Sequence, residues 1–378
     1  MSKIHEINSL DQLAGRRLEW RALLDETRGA TFFHSLDWLE LYWRHFGQPQ
    51  GQTLRVLVVE SCDEIVGILP LVVRREATRF GQVNVLTFPL NEWATRFGPI
   101  GPNPTATLLA ACGHLRRTPQ DWDLIDLRCV DRKGTDAGRT PRAMHAVGFC
   151  TRPEPWQRTG LIRLTGTWDD YWAERPRDLR TRYRGAQRRL ADRGHARFER
   201  HRAEGYGNFT PRWDLFEACR DVARRSCPEG RSDGDPDWSE STLPLLRDLH
   251  ETAAACGVLD VSVLWLDDVP VAFAYGGCQF GAFTRTHRGC DRDLGGADAA
   301  TVLLGGLVRD GFARGNASID LGAAGTGDDE CPWPTNQATS YRYRHFGRST
   351  PRVQALRMRR WMARLSRERQ EKLSAAAV

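Results

Sequence analysis

The sequence predicts an α/β (α+β) protein of two similar halves, each a mixed, mostly antiparallel sheet flanked by helices. Two hairpins of apolar strands stand at residues 53–74 and 259–278, each with a short polar turn at its centre. After each hairpin the order strand, loop, helix, strand repeats. The 378 residues, 40% of them hydrophobic, suffice for two cores, and no apolar run approaches the ~18–20 residues of a membrane helix. Met1 to Leu10 carries Lys3, His5 and Glu6 and no apolar leader segment, so the expectation is a cytoplasmic protein.

Each element follows from local pattern. Leu36, Leu39, Trp43 and Phe46 recur at helical spacing within 36–46. Residues 53–60 read as a strand, Cys62-Asp63-Glu64 as a turn and 65–74 as the hairpin partner, with a further strand over 83–88. Pro89 to Pro104 contains Phe97-Gly98-Pro99-Ile100-Gly101-Pro102, a turn series that precedes a helix over 105–116 and a strand over 122–127. The turn-rich stretch 134–159 holds the boundary, which gives units of 1–150 and 151–350 and a basic terminal helix over 351–378. A long helix is expected over 168–193, dense in arginine from Arg175 to Arg193, with Pro176 near its start and Gly194 at its end. A helix over 212–225 leads into a polar loop, 226–239, and another helix spans 243–256 up to Gly257. Strands over 259–266 and 269–278 flank the turn Asp267-Asp268. A third strand over 280–290, a helix over 299–314 and a strand beginning at Ser318 complete the second half.

Composition excludes several chemistries. The net charge of +6 suggests nucleic acid, but only three of the 54 basic residues, Lys3, Lys133 and Lys372, are lysines, a ratio expected of a GC-rich genome. No stacking aromatics interleave with the arginines in a recognisable RNA module. The arginine-rich helix reads either as a solvated amphipathic face or as a groove wall for an anionic partner. The ten cysteines form no C-x-x-C pair, and Cys62, Cys129, Cys256 and Cys278 lie in apolar runs, as reduced thiols do. There is no G-x-S-x-G elbow, P-loop or H-E-x-x-H pair, and His195, His201, Glu199 and Glu204 have no metal-ligand spacing, so no metal is expected.

The order hairpin, strand, loop, helix, strand over 259–321 resembles the core of the GNAT superfamily of N-acetyltransferases. In that fold the loop amides and the helix start hold the coenzyme A pyrophosphate, since unsatisfied N–H groups and the positive helix end attract an anion. The matching loop is Asp291-Arg292-Asp293-Leu294-Gly295-Gly296-Ala297-Asp298-Ala299-Ala300-Thr301, where Arg292-x-x-Gly295-x-Ala297 fits the superfamily's basic-x-x-Gly-x-small pattern. A second register puts Ala300 at the last glycine position, before Thr301. The resemblance thus implies coenzyme binding by Arg292, Gly295, Gly296, Ala297, Ala300 and Thr301. Asp298 reads as an N-cap or as an anion competing with the pyrophosphate.

A wider resemblance rests on Phe33-His34-Ser35-Leu36-Asp37-Trp38-Leu39, Ile65-Val66-Gly67-Ile68-Leu69-Pro70-Leu71, Pro270-Val271-Ala272-Phe273-Ala274-Tyr275 and Ile319-Asp320-Leu321-Gly322. These look like the CelD-like, cellulose-biosynthesis-associated acetyltransferases, which are distantly similar to the Fem-type aminoacyltransferases and carry tandem GNAT-like domains. Phe88-Pro89-Leu90-Asn91-Glu92-Trp93 is similar to a subgroup found in planctomycete-type bacteria. The chain departs from that subgroup at Ser226-Cys227-Pro228-Glu229-Gly230, where the relatives carry Ser-Trp-Gln-Gly, and at Glu330-Cys331-Pro332-Trp333, where they carry a Lys before the Trp.

The implied chemistry is acyl transfer from acetyl-coenzyme A or another acyl-coenzyme A to an amine, which needs alignment, a base and a proton for the leaving thiolate. Asp320 and Asp291, each at a strand end, and His287 are the candidate bases, and Tyr275 or Tyr341 the candidate acid. Each also has a structural reading: Asp320 and Asp291 as turn caps, His287 as a polar face residue, Tyr275 as core. The expected acceptor is a small molecule, a sugar or an envelope or exopolysaccharide precursor. One alternative is a Fem-like transferase with aminoacyl-tRNA as donor, the only case that calls for nucleic acid. The other is a degenerate binding or scaffold protein of polysaccharide synthesis. Oligomeric state is not legible.

Overall fold

The computed structural model describes residues 3–203, 205, 207, 211–226, 238–323, 333–347, 351–359 and 362. The first half comprises β1 (Lys3–Ile7), α1 (Leu10–Ala14), α2 (Arg17–Asp25), α3 (Leu36–Tyr42), β2 (Thr53–Ser61), β3 (Glu64–Thr78), β4 (Gly81–Thr87), α4 (Pro104–Arg117), β5 (Leu124–Val130) and α5 (Arg139–Ala146). Ser35 caps α3 by accepting from the Trp38 amide, and the helix buries Leu36, Trp38 and Leu39. Cys62 and Asp63 take φ of 53° and 63°, the twist that a tight hairpin between β2 and β3 requires.

The second half comprises β6 (Pro153–Arg163), α6 (Trp168–Ala173), α7 (Arg177–Ala191), β7 (Ala196–Arg202), α8 (Trp213–Ser226), α9 (Leu243–Ala255), β8 (Leu259–Leu266), β9 (Val269–Gln279), β10 (Ala282–Cys290), α10 (Gly296–Ala313), β11 (Ser318–Ala323) and β12 (Asn336–Phe346). Strand alternation sorts its apolar residues onto two layers. Val261, Val263, Phe273 and Tyr275 pack with α8 and α9, while Leu264, Ala272, Ala274 and Ile319 pack with α7 and α10.

All twelve strands form one sheet in the order β1-β2-β3-β4-β5-β12-β6-β11-β10-β9-β8-β7. The strand from the end of the chain, β12, lies between β5 and β6 and is antiparallel to both. At this seam Asp126 is fully buried and accepts from Arg128 and Arg342. The mixed, mostly antiparallel α/β architecture is the expected one.

Several elements differ from expectation. The helix expected over 168–193 is two, because Pro176 lacks the N–H that would continue α6 and instead stands at the N-cap of α7. The helix expected from residue 299 begins at Gly296. The expected basic terminal helix is observed over 351–359, and Trp361 and Leu365 lie outside the described residues. The strands β1, β6, β7 and β12 and the helices α1, α2 and α5 have no counterpart in the sequence reading.

Candidate active site

The split between β10 and β11 shapes the site. The two strands pair in parallel at only three positions, ending at Thr284 opposite Asp320, although β10 continues to Cys290. A bulge between Arg285 and His287 turns β10 away from its neighbour. Beneath the split, Gly322 takes a φ of 75°, and a Cβ there would lie 2.7 Å from the Arg285 carbonyl oxygen, so the close approach requires glycine.

Asp320, at the mouth of the split, is 2% exposed. Thr95 donates its hydroxyl to Oδ2 at 3.0 Å, the Gly322 amide donates to Oδ1 at 3.0 Å, and the Arg96 guanidinium stands 3.8 Å away. Thr95 and Arg96 come from the Pro/Gly turn series of the first half, so both halves build this site.

His287 is 1% exposed, between the Trp93 ring at 4.6 Å and the Trp238 ring at 5.7 Å. Thr286 donates its hydroxyl proton to the Tyr275 carbonyl, so its oxygen accepts from His287 Nδ1–H at 2.8 Å. That places the lone pair on Nε2, which has no partner among the described residues. Burial pushes the imidazole down to about 3, and it is neutral at physiological pH. The indole N–H groups of Trp93 and Trp238 are likewise buried without acceptors among the described residues. Tyr275 bonds to His250 Nδ1 at 3.1 Å, its ring flanks His287 at 5.7 Å, and burial pushes its phenol well above the usual range.

The loop after β10 is organised by Asp291. Its Oδ1 accepts from the amides of Asp293 and Leu294, and its Oδ2 pairs with Arg225. Burial raises this carboxyl, but the Leu294 amide, Arg225 and the Asp293 amide outweigh it, and the net shift is downward. Asp291 thus has its oxygens engaged in holding the loop. Gly295 is the N-cap of α10, with a Cβ there falling 2.8 Å from that of Ala299. Asp298 is not the cap. The Arg189 guanidinium of α7 takes both its oxygens at 2.7 Å and holds its carboxyl below the usual range.

Among the described residues, the amides of Gly295 and Ala297 have no hydrogen-bond partner, and the Arg292 side chain is exposed without an ion pair. Ala300 lies in the first turns of α10, where Thr301 donates its hydroxyl to the Ala297 carbonyl. Two unsatisfied amides, a helix start and nearby Arg292 and Arg189 fit a diphosphate.

The structure therefore brings His287, Tyr275 and Asp320 to one face of the split, and the loop residues to its far end. Tyr341 is not brought there. It lies opposite Pro155 on β6 whereas Asp320 lies opposite Leu161, a separation of six residues, or ~20 Å. Of the two departing segments, Ser226 donates to the Val222 and Cys290 carbonyls, residues 227–230 and 330–332 lie outside the described residues, and Trp333 packs on Trp172 and Tyr183. Sequence reasoning missed Trp93, Thr95, Arg96, Trp238, Arg225 and Arg189 as site residues.

Residues 177–333 match the family model described as the acetyltransferase (GNAT) domain, so the second half carries an acyltransferase domain. Among solved structures, FemX is similar over 91% of this chain and 97% of its own, with a TM-score of 0.58 and 10% identity. The C-terminal domain of a putative lysylphosphatidylglycerol synthetase from Agrobacterium fabrum is similar over 91% and 94%, with a TM-score of 0.52 and 12% identity. L-PGS from Bacillus licheniformis is similar over 90% and 96%, with a TM-score of 0.52 and 14% identity. At these identities the likeness shows a shared fold. Comparison with curated proteins gives no match.

Proposed function

We propose that the chain is a cytoplasmic N-acyltransferase that moves an acyl group from acyl-coenzyme A to an amine, with the donor bound in the second unit, 151–350. The observation that carries the reading is the pair of unpartnered amides, Gly295 and Ala297, at the start of α10, where the split of β10 from β11 leads. The coenzyme supplies the activated thioester. Gly295 and Ala297 would hold its diphosphate through their free amides. Gly296, whose own amide bonds to the Asp291 carbonyl, leaves the approach uncovered by a side chain, Arg292 adds charge, and Ala300 and Thr301 line the first turns of the helix.

The amine attacks the thioester carbonyl, the C–N bond forms and the C–S bond breaks. His287 Nε2 accepts a hydrogen bond from the attacking N–H, and the proton that the nitrogen loses passes to the thiolate, which leaves as the thiol. Asp320, fixed by Thr95 and Gly322, orients the approaching amine. Asp291 holds the loop, and Tyr275 buttresses the imidazole. The resemblance to CelD-like proteins supports a sugar or an envelope or exopolysaccharide precursor as acceptor.

Calorimetry with acetyl-coenzyme A tests the reading. Micromolar binding that Gly295→Asp abolishes is expected, because the new side chain meets Ala299 and brings a carboxylate to the free amides. Absence of binding by acetyl-, longer acyl- and free coenzyme A to the folded protein overturns it. Transfer from aminoacyl-tRNA alone would then establish the Fem-like donor instead.

A further inference from the structure

A cleft between the two halves begins beside the reaction centre. Its inner part is lined by Phe32 and Phe33 of the first half, Ala253 of α9, and Tyr275, Gly277 and Thr286 of β9 and β10. This inner part is a narrow neck, with a cavity volume of about 30 Å³. An outer chamber of 220 Å³ shares Phe32, Val258 and Gln279 with it and adds Trp20, Leu24 and Phe280. The two adjoin at these shared residues, and their linings reach from Thr286, the neighbour of His287, to Arg17 and Asp25.

Three features decide what fits. The inner walls are mostly aliphatic and aromatic, with three threonine hydroxyls and the Gln279 amide as the polar side-chain groups. Thr286 has its hydroxyl engaged with the Tyr275 carbonyl and His287. Such walls offer a sugar few partners, and burying its hydroxyls there would be costly. The direction is the second feature. The diphosphate site lies past the C-terminal end of β10, and the cleft runs the opposite way, from Thr286 back to Ala282, four residues or ~13 Å. A thioester held at the bulge therefore has its coenzyme on one side and the cleft on the other. Third, a Cβ built on Gly277 meets only the Val258 carbonyl oxygen, at 3.5 Å, so the wall is open at that position.

We propose that this cleft binds the alkyl chain of the donor, making the preferred co-substrate a medium-chain acyl-coenzyme A such as octanoyl-coenzyme A. The inference rests on the acyltransferase reading. The acceptor amine then enters from the Asp320 face and meets the carbonyl at His287.

The test is calorimetry of acetyl-, butyryl-, hexanoyl- and octanoyl-coenzyme A against the full chain and against Gly277→Val, with thermal unfolding to verify that the variant is folded. Affinity is expected to rise about threefold to fourfold per added methylene, ~0.8 kcal/mol each. Gly277→Val should remove most of that gain by narrowing the cleft. Affinity that is flat or falls with length while acetyl-coenzyme A binds overturns the inference and leaves the acyltransferase reading standing. A gain undiminished in folded Gly277→Val also overturns it, since the chain would then bind elsewhere. Should Gly277→Val not fold, Ala253→Leu on the opposite wall carries the same comparison. If no thioester binds, both readings fail.

Discussion

Thr95 donates its hydroxyl to Asp320 at 3.0 Å, joining residues 225 positions apart across the two halves. Asp320 lies in a dry setting, where each lost partner leaves a lone pair without water to replace it. Thr95→Val keeps the shape and removes the donor. We expect a loss of ~1–3 kcal/mol in stability, read as a lower urea midpoint with an unchanged slope. A midpoint equal to wild type would show that this hydrogen bond does not hold the halves together.

Asp298 neutralises a second guanidinium beside the proposed diphosphate site. Arg189 is exposed and spends its Nε and Nη2 donors on that carboxylate. Asp298→Asn frees it, and acetyl-coenzyme A should bind roughly twofold to fivefold more tightly, the scale of an exposed charge pair. The gain should shrink in high salt, where screening acts over a few ångströms. Adding Arg189→Ala should cancel it. Weaker binding by the single variant would show that Asp298 serves the helix start more than it opposes the ligand.

The buried histidines fix an acid limit. Burial holds His287 at about 3, and holds His34 and His250 at about 4. The unfolded chain protonates these rings near 6.5, so below that pH the unfolded state binds protons that the native state refuses. Stability from these groups is therefore fully present above pH 6.5 and declines as pH falls toward 4, by up to about 1.4 kcal/mol per pH unit for each ring. Urea midpoints between pH 7.5 and 4.5 measure it. His287→Gln should reduce the slope by one proton, and an unchanged slope would mean that the ring is protonated in the folded state.

Local chemistry accounts for what was legible. Hairpins with charged turns and apolar α10 announce themselves over short spans, and the α/β class followed from them. Site partners from the other half did not, because nothing local in Thr95-Arg96 points to a carboxyl 225 positions away. β12 was missed for a related reason. Its charged Arg342 and Arg344 break apolar alternation, yet both sit within the sheet because Asp126 and Glu154 meet them there. Pro176 was visible, but the arginine-rich periodicity on either side of it suggested one continuous helix.

That seam supports the last prediction. Asp126 is fully buried on β5, and Arg342 reaches it from β12 while Arg128 reaches it from its own strand. The two guanidinium groups also flank the Trp156 ring of β6, at 5.0 Å and 4.6 Å. Burial alone would raise this carboxyl, but the two arginines outweigh it and hold it below the usual range. Asp126→Leu would leave Arg342 without its carboxylate and Arg128 with Glu76 alone, on the adjacent strands β12 and β5. Breaking a buried ion pair from one side costs ~3–5 kcal/mol, so Asp126→Leu should unfold at markedly lower urea. The triple change Asp126→Leu, Arg128→Leu, Arg342→Met removes the stranded charges together with their partner and should recover most of the loss, because an apolar replacement of a buried ionic cluster is often neutral. A triple variant no more stable than Asp126→Leu would instead show that the cluster fixes β12 between β5 and β6, and that the seam needs its charges for register.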